Sequence, residues 1–229
     1  MSVSLDTSAA LREHAGAAWG ALLTHEFPVR LAAATLPEAS FRFYVAQNLL
    51  YLPEYARVIA FAAARSADSA GLGEHTESLI NIVSTEIPQN RRLLEAISAI
   101  AAEPTPGEDV KAPATVAYTS WLLAVAATGS TLDIAAAILP CAWSYGDIAA
   151  GLVSEASDHP VYSEWLGFFA SAEYRAVVDR QRAAFDAELA AQDDAGRARL
   201  ADIFLMGCRL EKSFWDQGLA MQHWDDVAG

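Results

Sequence analysis

Apolar residues recur at helical spacing along the chain, and this periodicity limits the possible folds more than any other feature. Leu11, Ala15, Trp19 and Leu22, for example, follow one another at intervals of four, four and three residues, as on one face of an α-helix. No two apolar runs are joined by the Asn-Gly or Asp-Gly turn typical of a β-hairpin. The sequence therefore predicts an all-α fold, with residues 1–229 forming a single domain built as a bundle of about seven to nine helices.

The charge of the chain bears on its partners. Asp and Glu number 29 against 15 Lys and Arg, which gives a formal net charge of −14. Nucleic acids and anionic membranes both attract basic surfaces, so we expect neither as a partner. The N-terminal residues lack the basic and apolar regions of a signal peptide, and no apolar run is expected to span a bilayer once its Gly, Pro and charged residues are counted. These features predict a cytoplasmic protein.

Cysteine and histidine usage argues against structural or catalytic metals. The only two cysteines, Cys141 and Cys208, cannot supply a disulfide framework or a cysteine zinc site. None of the five histidines has a glutamate three residues before it, whereas di-iron sites in helical bundles use Glu-x-x-His pairs. We therefore expect no metal site.

Residues 137–147 (AILPCAWSYGD) place a cysteine directly after a proline within an apolar run. Pro140 is expected to open a new helical turn, because proline is preorganised for the first position of a helix. Cys141 would then lie where the helix dipole favours a thiolate, with Tyr145 on the same face four residues later. This pattern suits a nucleophile, although many free cysteines are simply small core residues.

The longest predicted helix begins near Pro37 and reaches about Ser66. One of its faces carries polar and aromatic side chains at helical spacing: Tyr44, Asn48, Tyr51 and Tyr55. Three tyrosines and an amide on one line favour a pocket wall, and the alternative is a row of boundary tyrosines with their hydroxyl groups in water.

Two glutamates near apolar positions are further candidates. Glu86 falls within a segment expected to be helical over residues 74–101, and Pro88 should kink that helix and turn the carboxylate toward a cavity; otherwise Glu86 is exposed. Glu211 lies in the last predicted helix, three residues before Phe214. A carboxyl group buried among apolar side chains tends to be protonated and suits proton transfer, whereas the alternative is a glutamate at the edge of the apolar stripe.

Several motifs, taken in order, resemble those of the TenA family. Residues 41–52 (FRFYVAQNLLYL) resemble F-x-x-Y-x-x-Q-D-x-x-Y-L, and residues 139–145 (LPCAWSY) are similar to L-P-C-x-W-x-Y. Residues 159–165 (HPVYSEW) match H-P-x-Y-x-x-W, and residues 211–215 (EKSFW) match E-x-x-F-W. The ordered set covers nearly the whole chain.

The resemblance implies a haem-oxygenase-like helical bundle that binds no haem and is commonly a homotetramer. TenA proteins act on the aminopyrimidine half of thiamin, by hydrolysing thiamin or by deaminating aminomethylpyrimidine breakdown products, without a metal or organic cofactor. By this resemblance Cys141 is the nucleophile that adds to a pyrimidine ring carbon, and Glu211 is the acid/base. The implied substrate-binding side chains are Asn48, Tyr51, Tyr118, Tyr145, Phe169, Phe214, Tyr44 and Glu86.

Three positions depart from the family pattern. Asn48 replaces an aspartate, Phe169 replaces a frequent tyrosine, and Asn90 replaces a histidine. All three changes make the implied pocket less charged or less polar, which favours a shifted substrate preference. A non-catalytic pyrimidine-binding protein is one alternative, and a cofactorless oxidative enzyme like PqqC on the same bundle is another.

Overall fold

The computed structural model of the chain describes residues 5–101 and 107–226, and every regular element within these ranges is helical. Ten α-helices occur in the described part of the chain: α1 (Ser8–Leu23), α2 (Glu26–Ala32), α3 (Glu38–Arg65), α4 (Ser69–Asn81), α5 (Ile87–Ser98), α6 (Pro113–Thr128), α7 (Thr131–Leu152), α8 (Tyr162–Ala170), α9 (Ala172–Ala190) and α10 (Asp194–Ala220). A π-helical segment (Ile82–Glu86) joins α4 to α5, and 3-10 turns occur at Val153–Glu155 and Trp224–Asp226. The predicted all-α class is confirmed.

The ten helices exceed the seven to nine predicted, because α2 is not predicted from the sequence and the segments 74–101 and 161–190, each predicted as one helix, are both divided. The one expected over 74–101 starts earlier, at α4, where the Asp68 side chain accepts a hydrogen bond from the Gly71 N–H at 2.9 Å. The sequence predicts a loop at residues 71–73 from its two glycines, and this prediction is wrong because the segment is helical. The one expected from residue 161 breaks at Ser171, whose extended backbone ends α8 and whose hydroxyl caps α9. Residues 103–109 (EPTPGED), which the sequence predicts to form a loop, lie mostly outside the described residues.

Other boundaries agree with the sequence analysis. Helix α3 covers the longest predicted segment. The sequence also predicts a helix that starts at Pro113 and stops at Gly129, and a next helix capped by Ser130 or Thr131; α6 ends at Thr128 and α7 begins at Thr131. Helix α7 begins with a capping box, in which the Asp133 carboxylate accepts from the Ser130 N–H at 2.8 Å and the Ser130 hydroxyl accepts from the Asp133 N–H at 3.2 Å. Capping residues, which act over a few positions, therefore predict helix boundaries correctly in this part of the sequence.

The chain divides into two compact units. The first unit comprises Met1–Thr35 and Ala135–Lys212, and the second comprises Leu36–Ile134 and Ser213–Gly229. The boundaries between the units fall at three points of the chain, one between α2 and α3, one inside α7 and one inside α10.

The core of the first unit is built around aromatic rings. Trp19 of α1 packs against Trp143 of α7, with ring centroids 5.0 Å apart, and against Phe204 of α10 at 5.9 Å. The guanidinium of Arg182, on α9, lies 3.7 Å from the centroid of the Trp143 ring. A cation over an indole face adds attraction to the apolar packing, so this cluster holds α1, α7, α9 and α10 together.

The second unit contains a buried polar network. The fully buried Gln47 of α3 accepts hydrogen bonds from the Ala112 N–H and the Thr115 hydroxyl, both at 2.8 Å, and donates to the Val110 carbonyl at 2.9 Å. The Gln217 amide of α10 donates to the same Thr115 hydroxyl at 2.7 Å. Because buried amides are stable only when their groups are paired, this network fixes α3, α6 and the end of α10 within the unit.

Helix α7 and the 3-10 turn after it form a continuous helical stretch of 25 residues, Thr131–Glu155. By length and composition alone this stretch could cross a membrane, although no such run is expected from the sequence once its Gly, Pro and charged residues are counted. Half of its most apolar window is buried inside the protein, and a core helix of a soluble protein meets the same criteria.

Candidate active site

Cys141 lies in the middle of α7, not at a helix start. Pro140 is an interior residue of this helix, so the expectation that it opens a new turn is wrong, and with it the argument that a helix N-terminus favours a thiolate at Cys141. Proline cannot donate to the carbonyl one turn earlier, yet α7 continues through it. The Cys141 side chain is partly exposed, whereas its neighbours Pro140 and Trp143 are buried.

Helix α10 contacts α7 closely beside this cysteine. A Cβ atom built on Gly207 would lie 2.9 Å from the Pro140 Cγ atom and 3.0 Å from the Ala137 carbonyl oxygen. Only a glycine permits this approach, because real Cβ contacts are essentially never so short. Pro140 precedes Cys141, and Gly207 lies one helical turn before Glu211, so the contact brings together the segments that carry both candidate catalytic residues.

Glu211 is a buried carboxyl group, with 1% of its surface exposed. The nearby Cys208 is fully buried, and burial followed by the charge of Glu211 raises the pKa of the Cys208 thiol to about 12. Cys208 therefore remains a thiol at neutral pH and is unsuited to act as a nucleophile. Of the two cysteines, only Cys141 combines partial exposure with a place in the candidate site.

Tyr145 and Phe169 belong to one aromatic cluster of the first unit. Their ring centroids are 4.8 Å apart, and Phe169 also lies 4.7 Å from Trp165 and 5.0 Å from Tyr174. The Tyr174 hydroxyl donates to the carbonyl of Ala142 at 2.9 Å. Helix α9 is thereby attached to the main chain of α7 one residue after Cys141.

The aromatic candidates of the second unit also form a cluster. Tyr51 lies 5.2 Å from Tyr118 and 5.7 Å from Phe214, and Tyr44 lies 5.9 Å from Phe214, measured between ring centroids. All four rings are at most 5% exposed. The alternative of boundary tyrosines with their hydroxyl groups in water is therefore wrong for Tyr44 and Tyr51.

Glu86 ends the π-helical segment, at the place where the sequence predicts a kink. Its side chain is half-buried, and this desolvation raises the pKa of the carboxyl group although the Asn81 amide donates to it at 3.1 Å. π-helical turns inside α-helices are frequent at functional sites. Glu86 is therefore intermediate between the carboxylate in a cavity and the exposed glutamate that the sequence left open.

Two of the three departures from the family pattern contact each other. The Asn48 amide nitrogen donates to the Asn90 side-chain oxygen at 2.9 Å, and the Asn90 amide nitrogen donates to the main-chain carbonyl of Glu86, also at 2.9 Å. The third departure, Phe169, belongs to the other unit. The structure thus groups Asn48, Glu86 and Asn90 within the second unit.

Sequence reasoning missed Gly207 and Tyr174 as residues of the site. A glycine inside a long helix lowers the stability of the helix by about 1 kcal/mol relative to alanine. An interior glycine therefore indicates a packing or functional reason, and this was the signal available for Gly207. Nothing in the sequence indicated the Tyr174 hydrogen bond. Within residues 5–101 and 107–226, no three His, Cys, Asp or Glu side chains are grouped as a metal site requires.

Comparisons with known proteins agree on one family. A family model described as TENA/THI-4/PQQC matches residues 12–221. The aminopyrimidine aminohydrolase of Halalkalibacterium halodurans is 34% identical over 220 residues, which cover 95% of this chain and 97% of that protein. A TenA homologue from P. horikoshii is 29% identical with a TM-score of 0.80, covering 93% of this chain and 98% of its own. A Shewanella denitrificans domain with a heme oxygenase-like fold has a TM-score of 0.69 at 13% identity, and the match covers 93% of this chain and 92% of that domain.

Proposed function

Because the chain belongs to the TENA/THI-4/PQQC family, we propose that it is a hydrolase of thiamin salvage that releases hydroxymethylpyrimidine from thiamin or from an aminomethylpyrimidine breakdown product. The name of the Halalkalibacterium halodurans relative, aminopyrimidine aminohydrolase, supports an aminopyrimidine substrate. One structural observation carries the assignment of residues: the contact of Gly207 with Pro140, which brings the Glu211 segment of α10 against the Cys141 segment of α7.

In the proposed mechanism the Cys141 thiolate adds to a pyrimidine ring carbon while Glu211 gives its proton to a ring nitrogen. The ring has then lost its aromaticity, and its electrons expel the exocyclic substituent from the adjacent methylene carbon. An amine leaving group departs with the electrons of its bond to carbon and takes up the proton of the ring nitrogen. Splitting a difficult displacement into addition and elimination is the usual advantage of covalent catalysis.

Water completes the proposed reaction. The water oxygen bonds to the methylene carbon while the Glu211 carboxylate accepts the water proton, and expulsion of the Cys141 thiolate restores the aromatic ring. Both catalytic groups thereby return to their starting states, and the net change is replacement of the substituent by a hydroxyl group. General acid/base catalysis of this kind contributes roughly 100- to 10,000-fold to a rate.

In the proposed site, aromatic and amide side chains bind the pyrimidine ring. On the resemblance to TenA proteins alone, we assign ring stacking to Tyr51, Tyr145 and Phe214, whose flat apolar faces suit a flat heterocycle. Tyr118 and Tyr44 pack against these rings within the second unit. Further candidate substrate contacts are Asn48, Phe169 and Glu86.

The proposal is tested by incubating the protein with thiamin, aminomethylpyrimidine and formylaminomethylpyrimidine and following hydroxymethylpyrimidine by chromatography. We expect release from at least one of these compounds, and loss of about 1,000-fold or more in kcat for Cys141→Ala. A Cys141→Ala variant as active as the parent contradicts the assigned nucleophile. Absence of release from all three compounds contradicts the hydrolase.

A non-catalytic pyrimidine-binding protein is the second candidate function. The observation in its favour is that Asn48 and Asn90, at two positions where the family pattern has charged or titratable side chains, pair with each other. Two measurements separate the two functions. By calorimetric titration, a binding protein should bind hydroxymethylpyrimidine equally well as the parent and as Cys141→Ala. It should also release no hydroxymethylpyrimidine from the three compounds above.

We further propose that residues 1–229 act as one catalytic domain that assembles as a homotetramer in the cytoplasm. The resemblance to TenA proteins supports the tetramer, and the family model spans nearly the whole chain. Light scattering coupled to size-exclusion chromatography should give a mass four times that of the 24.5 kDa chain. Fractionation of expressing cells tests the compartment.

A further inference from the structure

Three residues of the second unit form a directed chain of hydrogen bonds. The Asn48 Nδ2 atom of α3 donates to Asn90 Oδ1 of α5, and Asn90 Nδ2 donates to the carbonyl oxygen of Glu86, at 2.9 Å in each case. Glu86 ends the π-helical segment and immediately precedes α5. The last acceptor in this series of hydrogen bonds is therefore a backbone carbonyl group.

A backbone carbonyl fixes the orientation of both amides. A carbonyl oxygen accepts hydrogen bonds and cannot donate them, so Asn90 must turn its NH₂ group toward Glu86. The Asn90 oxygen then faces Asn48, which must in turn present its own NH₂ group. An amide alone can flip at little cost, but here a flip of either side chain sets two acceptors or two donors against each other.

The orientation determines what Asn48 can offer to a ligand. Its Oδ1 atom makes no hydrogen bond to the described residues, the side chain is only partly buried, and one of its two amide hydrogens is still available. Asn48 therefore presents an acceptor beside a donor, without charge. That pair is complementary to an amino group next to an unprotonated ring nitrogen, in the way that asparagine binds the edge of adenine.

We propose that Asn90 is a positioning residue that holds the Asn48 amide in one orientation. In this orientation Asn48 favours ligands that carry a 4-amino group beside a ring nitrogen over ligands that carry a 4-oxo group. This inference rests on the proposed function, because it assumes that Asn48 contacts the pyrimidine. A 4-oxo pyrimidine presents a ring N–H donor beside an acceptor, which is the reverse pattern, and it would pair only with a flipped Asn48. Asn90 thus acts through Asn48 and does not contact the ligand.

The test compares dissociation constants for 4-amino- and 4-oxo-5-hydroxymethyl-2-methylpyrimidine, measured by calorimetry on the full chain. In Asn90→Leu the amide of Asn48 is released, and we expect the preference for the amino ligand to fall by about tenfold. In Asn90→Asp the carboxylate still accepts from Asn48 but sets an acceptor against the Glu86 carbonyl oxygen, so we expect the preference for the amino ligand to fall less than in Asn90→Leu. A merely structural role for Asn90 would lower both affinities together and leave their ratio unchanged.

Asn81→Leu is the matched control, because Asn81 donates to the Glu86 side chain and has no part in the chain through Asn90. If Asn90→Leu fails to fold, Asn90→Ala releases Asn48 with less change in volume. An unchanged ratio in the folded variant overturns the positioning role and leaves the proposed function standing. Failure of the parent protein to bind the amino ligand overturns both.

Discussion

Gly207 of α10 and Pro140 of α7 are in direct contact: a Cβ atom on Gly207 would lie 2.9 Å from the Pro140 Cγ atom. Two unfavourable helix residues are thus matched to each other. Proline interrupts the hydrogen bonds of α7, glycine weakens α10, and together they permit an approach that larger side chains would prevent. Because Cys141 follows Pro140 and Glu211 lies one turn beyond Gly207, the contact fixes the spacing of the two candidate catalytic segments.

Gly207→Ala should therefore impair both stability and catalysis. The new methyl group meets the Pro140 ring and the Ala137 carbonyl oxygen, and overpacking of this kind costs about 1 to 3 kcal/mol, only partly offset by the better helix propensity of alanine. We expect a lower free energy of unfolding in urea and a lower kcat, because the helices must separate.

Gly151→Ala is the control for the preceding substitution. Gly151 belongs to α7, and a Cβ atom built on it meets nothing within 4 Å. The alanine should stabilise the helix by up to about 1 kcal/mol and leave kcat unchanged. Equal kinetic effects of the two substitutions would show that the Gly207 contact has no special part in positioning the site.

The two thiols should differ sharply in reactivity toward iodoacetamide. Cys141 is partly exposed, whereas Cys208 is fully buried and its pKa is raised to about 12. We expect one equivalent of label per folded chain at about pH 8, located on Cys141 by peptide mass spectrometry, with parallel loss of activity.

Two variants complete the labelling experiment. Cys141→Ser should take up no label while folded, and Cys208→Ala should be labelled and inactivated at the parent rate. Uptake of label by Cys208 in the folded protein would contradict the burial on which this prediction depends.

Periodicity and capping residues were sufficient to predict the all-α class, α3 and the start of α7, because these features depend on neighbours a few residues away. Pro140 shows where local rules fail. Proline favours a helix start in isolation, but in this chain α7 continues through it, and the partner that accommodates its ring, Gly207, is distant in sequence. Tertiary packing decided that position, and a single sequence carries no signal for it.

In the candidate site too, local sequence features were predictable and contacts between distant residues were not. The residue types at Cys141, Glu211 and Tyr51 were available from motifs, because the proposed chemistry uses those side chains. The pairing of Asn48 with Asn90 was not available, although both had been recognised as departures from the family pattern, since their hydrogen bond joins two helices.

Gln47→Met should be strongly destabilising. The substitution keeps the length of the side chain but leaves the Ala112 N–H and the Val110 carbonyl without the partners that Gln47 provides. Each buried polar group left unpaired costs about 1 to 3 kcal/mol, so we expect a loss of about 3 kcal/mol or more in urea unfolding.

Gln192→Met provides the comparison for Gln47→Met. The Gln192 side chain makes one exposed hydrogen bond, to the Glu188 carbonyl, so its loss should change the free energy of unfolding by less than about 0.5 kcal/mol. If the two substitutions cost the same, the Gln47 network does not stabilise the second unit.

Glu86→Gln should stabilise the protein at neutral pH and not at acid pH. Burial raises the pKa of Glu86 in the folded state above that in the unfolded chain. Between the two pKa values the folded protein binds more protons, so the free energy of unfolding of the parent falls as pH rises through this interval. Glutamine has no charge to desolvate and still accepts from Asn81, so its advantage should appear above the interval and vanish below it.

Glu54→Gln tests the sign of the argument about Glu86, because the hydrogen bond from Lys111 to Glu54 lowers the pKa of this carboxyl group. Its contribution to stability is present above the unfolded-state pKa and is lost as pH falls through the folded-state pKa. Urea unfolding at about pH 4 and about pH 8 should therefore show Glu54→Gln to be more destabilising at the higher pH, where Glu86→Gln is stabilising. Effects of the same sign in both variants would mean that the charge of Glu86 is not desolvated in the folded protein, and that the half-buried position at the end of the π-helical segment does not perturb it.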